Sequence, residues 1–130
     1  CALVKQAVAL AEELTVEPSD AMERLRCESG AQVLAGAVYA ALVGQKDFDT
    51  AMIIAVNHSG RSAAVGAITG AILGAWLGEE ALPEFYLECL EPADILRSLA
   101  VDLYQGCPME KGDIFYDTEW DKKYLHGGKG

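Results

Sequence analysis

Histidine and cysteine are scarce in this chain, and the few that occur are not grouped. Two histidines and four cysteines are spread over 130 residues, and no two cysteines form a C-x-x-C pair. This spacing argues against a zinc cluster or a thioredoxin-like motif, and two histidines are too few for a histidine-rich transition-metal site. We therefore expect reduced thiols. The cysteines are Cys1, Cys27, Cys89 and Cys107.

Basic residues are also few. The chain has 10 Lys and Arg residues against 20 Asp and Glu residues, which gives a formal net charge of -10. A charge of this sign repels nucleic-acid phosphates and anionic lipids at neutral pH. We therefore expect neither a nucleic acid nor a membrane surface among the partners of this protein.

A hydrophobic run long enough to span a membrane is missing. The longest uncharged run, residues 62–78, is bounded by Arg61 and by Glu79-Glu80, whereas a bilayer requires about 20 apolar residues. Its glycines at every fourth position, Gly66 to Gly78, are also found in paired transmembrane helices, but a buried central helix of a bundle explains them as close helix contacts. The chain start lacks a signal-peptide pattern. We expect a cytoplasmic protein.

No segment alternates apolar and polar residues for long enough to predict a strand, and no fixed repeat occurs. Apolar residues recur at helical spacing instead, and 52% hydrophobic residues suffice for one core. We predict a single all-α domain over residues 1–130, with a polar and aromatic tail at 109–130. The predicted helices cover residues 3–14, 31–43, 48–56, 62–78 and 83–90, with a short turn at 22–25 and a stripe at 95–103 ending near Gly106.

A polar elbow, residues 57–62, joins the predicted helices 48–56 and 62–78. It reads Asn57-His58-Ser59-Gly60-Arg61-Ser62. His58 beside Ser59 could indicate a catalytic base and a nucleophile, but adjacent side chains on a turn usually point apart and no G-x-S-x-G pattern surrounds Ser59. Alternatively, these polar side chains satisfy backbone groups at two helix ends.

The elbow resembles a segment of ADP-ribosylglycohydrolases in which Asn-His-Ser-Gly is followed by Asp-x-Asp-Ser/Thr. That acidic triplet supplies oxygen ligands to a pair of magnesium ions in the family. Here Arg61, Ser62, Ala63 and Ala64 stand in those four places. The similarity covers nearly all of this chain and corresponds to about the last half or less of a family member. The similarity also includes residues 31–44, 48–49, 51–57, 67–75, 82–84 and 119–124.

The resemblance implies a compact helical bundle of the ADP-ribosylglycohydrolase type, of which this chain is the C-terminal part. Members of the family use two magnesium ions to bind ADP-ribose and hydrolyse its bond to a protein side chain or related acceptor. Magnesium requires oxygen ligands, which Arg61, Ala63 and Ala64 do not supply. We therefore expect no magnesium cofactor, no catalytic residue and no hydrolase activity in this chain alone.

A helix N-terminus attracts anions through its free N–H groups and its dipole, and Arg61 adds a positive charge. We expect metal-independent binding of ADP-ribose or another nucleotide phosphate at Asn57, His58, Ser59, Gly60, Arg61 and Ser62. Two alternatives stay open. A missing N-terminal half could complete an active hydrolase, or the chain could be an interaction module that self-associates through the face left by absent N-terminal helices.

Overall fold

The computed structural model describes residues 2–106 and 122–123, and every regular element in this part of the chain is helical. The all-α prediction is confirmed. The α-helices are α1 (Ala2–Glu12), α2 (Pro18–Leu25), α3 (Gly30–Val43), α4 (Phe48–Val56), α5 (Ser62–Leu77), α6 (Glu84–Glu88) and α7 (Ala93–Gln105). A 3-10 turn, Glu79–Ala81, follows α5. The chain divides into two compact units, Cys1–Glu88 and Cys89–Gly130. A single domain over residues 1–130 stays a prediction.

Helix α3 is the centre of the first unit and contacts α1, α2, α4 and α5. It buries mainly small residues, such as Ala35, Ala37 and Ala40, together with Tyr39. Small side chains allow the neighbouring helices to lie close to α3. Met22 of α2 is fully buried in the same core, which contributes about 1.5–3 kcal/mol for a side chain of this size.

Two helix starts follow from their capping residues. Ser29 and Gln32 form a capping box at α3: the Ser29 hydroxyl accepts from the Gln32 N–H, and the Gln32 side chain accepts from the Ser29 N–H at 2.9 Å. Asp47 caps α4 by accepting from the Asp49 N–H at 3.2 Å. Asp49 lies in the first turn of α4.

Three boundaries differ from the prediction. Helix α1 ends at Glu12 rather than near Leu14, whose side chain is 97% exposed. In place of the predicted short turn at 22–25, α2 begins at Pro18 and runs for two turns, because proline fits the first helical position. The predicted helix 83–90 is shorter in the structure, where α6 covers only Glu84–Glu88 and follows the 3-10 turn.

The glycine line of α5 makes fewer close contacts than its spacing suggested. A Cβ on Gly66 would come within 2.9 Å of Val56 Cγ1, but one on Gly74 or Gly78 would meet nothing within 4 Å. The tightest approaches lie elsewhere. A Cβ on Gly44 would overlap Ala51 of α4, where the end of α3 meets the next helix.

The second unit contains α7 and a surface ion pair between Lys123 Nζ and Asp102 Oδ2 at 2.9 Å. The predicted tail at 109–130 lies outside the described residues except for Lys122 and Lys123. Within the described part of the chain, no helix has both the length and the apolar character required to cross a membrane.

Candidate functional site

The elbow begins where Asn57 ends helix α4. The Asn57 backbone N–H donates to the Ile53 carbonyl at 3.2 Å, and its side-chain amide donates to the same oxygen at 2.7 Å. The side chain therefore serves the last turn of α4, as in the interpretation that elbow residues satisfy helix ends.

His58 is held by backbone groups at both ring nitrogens. Its Nδ1 accepts from the Gly60 N–H at 3.1 Å, so the proton of the neutral ring belongs on Nε2, which lies 3.0 Å from the Ala55 carbonyl. This arrangement fixes the ring between the end of α4 and the turn. Neither ring nitrogen is directed at Ser59, and the pair does not form a nucleophile with its base.

Ser59 is instead bound to Glu23 of α2, which lies 36 positions earlier in the chain. The Ser59 N–H donates to Glu23 Oε1 at 2.8 Å, and the Ser59 hydroxyl donates to Oε2 at 2.5 Å. The hydroxyl bond, followed by the backbone bond, lowers the pKa of Glu23 from its usual value. The carboxylate thus occupies the place at Ser59 that an external anion would take.

The loop after α2 packs against the elbow. The Arg61 N–H donates to the Cys27 carbonyl at 2.9 Å, and a Cβ on Gly60 would overlap the Arg26 carbonyl. Arg26 and Cys27 have positive φ angles of 63° and 52°, a conformation that costs about 1–3 kcal/mol for residues other than glycine. The Cys27 thiol is buried, and burial raises its pKa.

These contacts leave only part of the predicted ligand-binding set open. The N–H groups of Ser59, Gly60 and Arg61 are bonded as described, and the Ser62 N–H donates to the Gly60 carbonyl at 2.9 Å. The Arg61 guanidinium, the Ser62 hydroxyl and the Ala63 N–H have no hydrogen-bond partner within residues 2–106 and 122–123. An external anion would therefore meet these three groups at the start of α5.

The positions that correspond to the magnesium ligands do not fit a pair of magnesium ions. They carry the guanidinium of Arg61 and the methyl groups of Ala63 and Ala64, none of which offers an oxygen to a hard cation. Across the residues that the structure describes, no group of three or more His, Cys, Asp or Glu side chains is placed to hold a metal ion.

Glu23 contacts the elbow although no pattern in the sequence predicts this contact. It lies on a different helix, and its contact with Ser59 depends on how α2 packs against α4. A single sequence contains no local signal for a contact over this separation. The capping box at the start of α3 does have a local sequence signal, because Ser29 and Gln32 form the S-x-x-Q pattern.

The chain is similar in sequence to a known protein family and to a protein of known sequence. The sequence model of the ADP-ribosylglycohydrolase family matches residues 1–112. An uncharacterized protein of Archaeoglobus fulgidus is 40% identical over 77 residues, which make up 59% of this chain and 24% of the relative. The chain thus matches about a quarter of the length of that relative. No solved structure matches the chain with significant similarity.

Proposed function

Because the chain belongs to the ADP-ribosylglycohydrolase family, we propose that it is a degenerate member that binds no magnesium and does not hydrolyse ADP-ribosyl bonds on its own. The observation that carries this proposal is the composition of residues 61–64. Arg61, Ala63 and Ala64 occupy the places at which the family resemblance calls for two aspartates and a hydroxyl.

The electrostatics of the elbow support the proposal. Replacement of two aspartates by Arg61 and Ala63 removes two negative charges and adds a positive one. At ~4 Å and an effective dielectric constant of about 20, one pair of unit charges interacts by about 4 kcal/mol. The Glu23 carboxylate at the elbow already accepts two hydrogen bonds from Ser59.

A hydrolase assay tests the proposal. The chain is incubated with an ADP-ribosylated peptide and millimolar magnesium, and released ADP-ribose is measured. We expect no release above that of the buffer control. Release that depends on both the chain and magnesium would contradict the proposal.

The proposal includes retained binding of ADP-ribose or another nucleotide phosphate at the start of α5. The exposed Arg61 guanidinium, the Ser62 hydroxyl and the Ala63 N–H support it, since a phosphate accepts hydrogen bonds from all three kinds of group.

Thermal melts with millimolar ADP-ribose or inorganic phosphate test this binding. We expect ADP-ribose to raise the melting temperature of the wild-type chain and of the control Lys46→Gln, but not that of Arg61→Gln. Lys46 lies before α4, outside the elbow, and carries the same charge. An equal rise in all three proteins, or no rise in the wild type, would contradict binding at Arg61.

One alternative is an active hydrolase in which a longer polypeptide completes the site. The Archaeoglobus protein supports this alternative, because about three quarters of its length lies outside the segment that matches this chain. The assay above, repeated with a longer polypeptide that includes this sequence, separates the two proposals. Magnesium-dependent activity in the longer protein alone would favour completion of the site.

Another alternative is self-association. A mostly apolar groove of about 110 Å³ lies between α3 and α5. Trp76 on its wall is 76% exposed, and Leu42 is 39% exposed. Apolar surface of this kind is buried when copies of a chain associate. Light scattering distinguishes this function, because a chain that stays monomeric at high concentration does not bury the groove.

A further inference from the structure

A second cavity, of about 210 Å³, lies where the end of α1 and the loop before α2 meet α3. Its walls are largely apolar and include Leu10, Ala11, Val16 and Val43. None of its lining residues belongs to the elbow or contributes to the function proposed above. The volume lies between that of a cavity that holds benzene, about 150 Å³, and the 300 Å³ or more of drug-sized pockets.

A buried tyrosine lines this cavity. Tyr39 is only 1% exposed and lines the cavity, yet its hydroxyl has no hydrogen-bond partner among the described residues. Burial, followed by the negative charge of Glu17, raises the pKa of Tyr39. Buried hydroxyl groups in proteins are normally hydrogen-bonded, and this one lacks a partner.

Two carboxylates complete the lining. Glu13 and Glu17 are exposed, and neither side chain makes an ion pair or a hydrogen bond within residues 2–106 and 122–123. Leu14, which lies between them along the chain, is 97% exposed beside the same cavity. The cavity thus combines apolar walls, an unpartnered hydroxyl and two unpaired negative charges.

We propose that this cavity binds a small organic cation, a primary amine on a compact apolar body. The apolar body packs against Leu10 and Val16. The ammonium group donates to the carboxylates of Glu13 and Glu17 and to the Tyr39 hydroxyl oxygen. An anion of the same shape is repelled by the carboxylates, and a neutral molecule lacks the attraction between opposite charges.

The probe for this site is 2-phenylethylammonium, which combines one ring, a short chain and one ammonium group. Binding is followed by NMR titration of the wild-type chain, with the methyl signals of Ala11, Val16 and Val43 as reporters. We expect saturable shifts at these methyl groups. The neutral 2-phenylethanol should bind about tenfold more weakly, and phenylacetate should not bind.

Three variants assign the contacts. We expect Glu17→Gln to weaken binding about tenfold, because the negative charge is lost, and Tyr39→Phe to weaken it about fivefold, because the hydroxyl acceptor is lost. Glu12→Gln, which removes the same charge at a neighbouring residue outside the cavity lining, should bind like the wild type. Without the probe, Tyr39→Phe should melt at or above the wild-type temperature, because it removes a hydroxyl that has no partner.

Several results would overturn the proposal. These are absence of binding at millimolar probe, equal binding of 2-phenylethanol, or equal affinities of the wild type and both cavity variants. The Glu17→Gln comparison remains decisive if Tyr39→Phe fails to fold, since Glu17 is exposed and precedes α2.

Discussion

At the scale of single residues, the contact between Glu23 and Ser59 determines what the elbow can bind. One carboxylate takes both the N–H and the hydroxyl of Ser59, while His58 takes the N–H of Gly60. A free phosphate would have to displace Glu23 to reach Ser59. For this reason the proposed anion contacts lie at Arg61, Ser62 and Ala63, one step further along the chain.

The lowered pKa of Glu23 predicts a pH-dependent contribution to stability. In the unfolded chain this carboxyl titrates near its usual value of 4.5, and in the folded chain it titrates lower. The contribution is therefore fully present above pH 4.5 and is lost as the pH falls through the folded pKa. We expect Glu23→Gln to lower the free energy of unfolding at pH 7, with a difference from the wild type that shrinks at lower pH.

Urea denaturation at pH 7, 5, 4 and 3 measures this difference. Glu12→Gln is the matched control, because Glu12 ends α1 and has no hydrogen bond to the elbow. A difference between wild type and Glu23→Gln that stays constant down to pH 3 would count against the Ser59 contact.

At the scale of secondary-structure elements, helical spacing correctly predicted α3, α4 and α5, because their own residues determine both their length and their end points. The sequence was less informative where packing against a neighbouring helix determines which residues are buried or in contact. The spacing of apolar residues in α4 does not show which of them are buried: Ile53 and Val56 are 53% and 44% exposed, since α4 turns Ala51 and Ala55 towards the core. In the same way, nothing in the sequence of the elbow indicates that Ser59 contacts Glu23.

The positions of close helix contact predict opposite effects for two glycines. Gly44→Ala would bring a Cβ into Ala51 at the junction of α3 and α4, and we expect it to destabilise the chain by about 1–3 kcal/mol. Gly74→Ala adds a methyl group where nothing lies within 4 Å, inside α5, and should stabilise it by about 0.5–1 kcal/mol. Urea denaturation of both variants checks the prediction. Equal effects of the two substitutions on the free energy of unfolding would contradict the close contact between Gly44 and Ala51.

At the scale of the whole molecule, charge and apolar surface act in opposite directions. The net charge of -10 makes copies of the chain repel one another, whereas the groove beside Trp76 favours their association. Salt screens the repulsion and leaves the apolar contact intact, with a screening length of about 10 Å at 0.1 M. The match to the family model over residues 1–112 does not indicate whether the repulsion or the apolar attraction is larger.

Self-association through the groove predicts a mass that rises with both protein and salt concentration. Trp76→Glu should keep the chain monomeric, because it adds a charge to the exposed apolar wall. Tyr104→Glu changes an aromatic residue that is 93% exposed outside the groove and should behave like the wild type. Light scattering between 0.05 and 0.5 M NaCl gives the masses. A wild-type mass equal to one chain throughout would exclude this alternative.

The absence of a magnesium site is the central claim, and calorimetric titration of the chain with magnesium chloride at neutral pH tests it most directly. Arg61, Ala63 and Ala64 offer no oxygen ligand, so the account predicts no saturable heat at millimolar magnesium. Saturable uptake of two ions per chain in the submillimolar range, abolished by Ser62→Ala or Glu23→Gln, would contradict it.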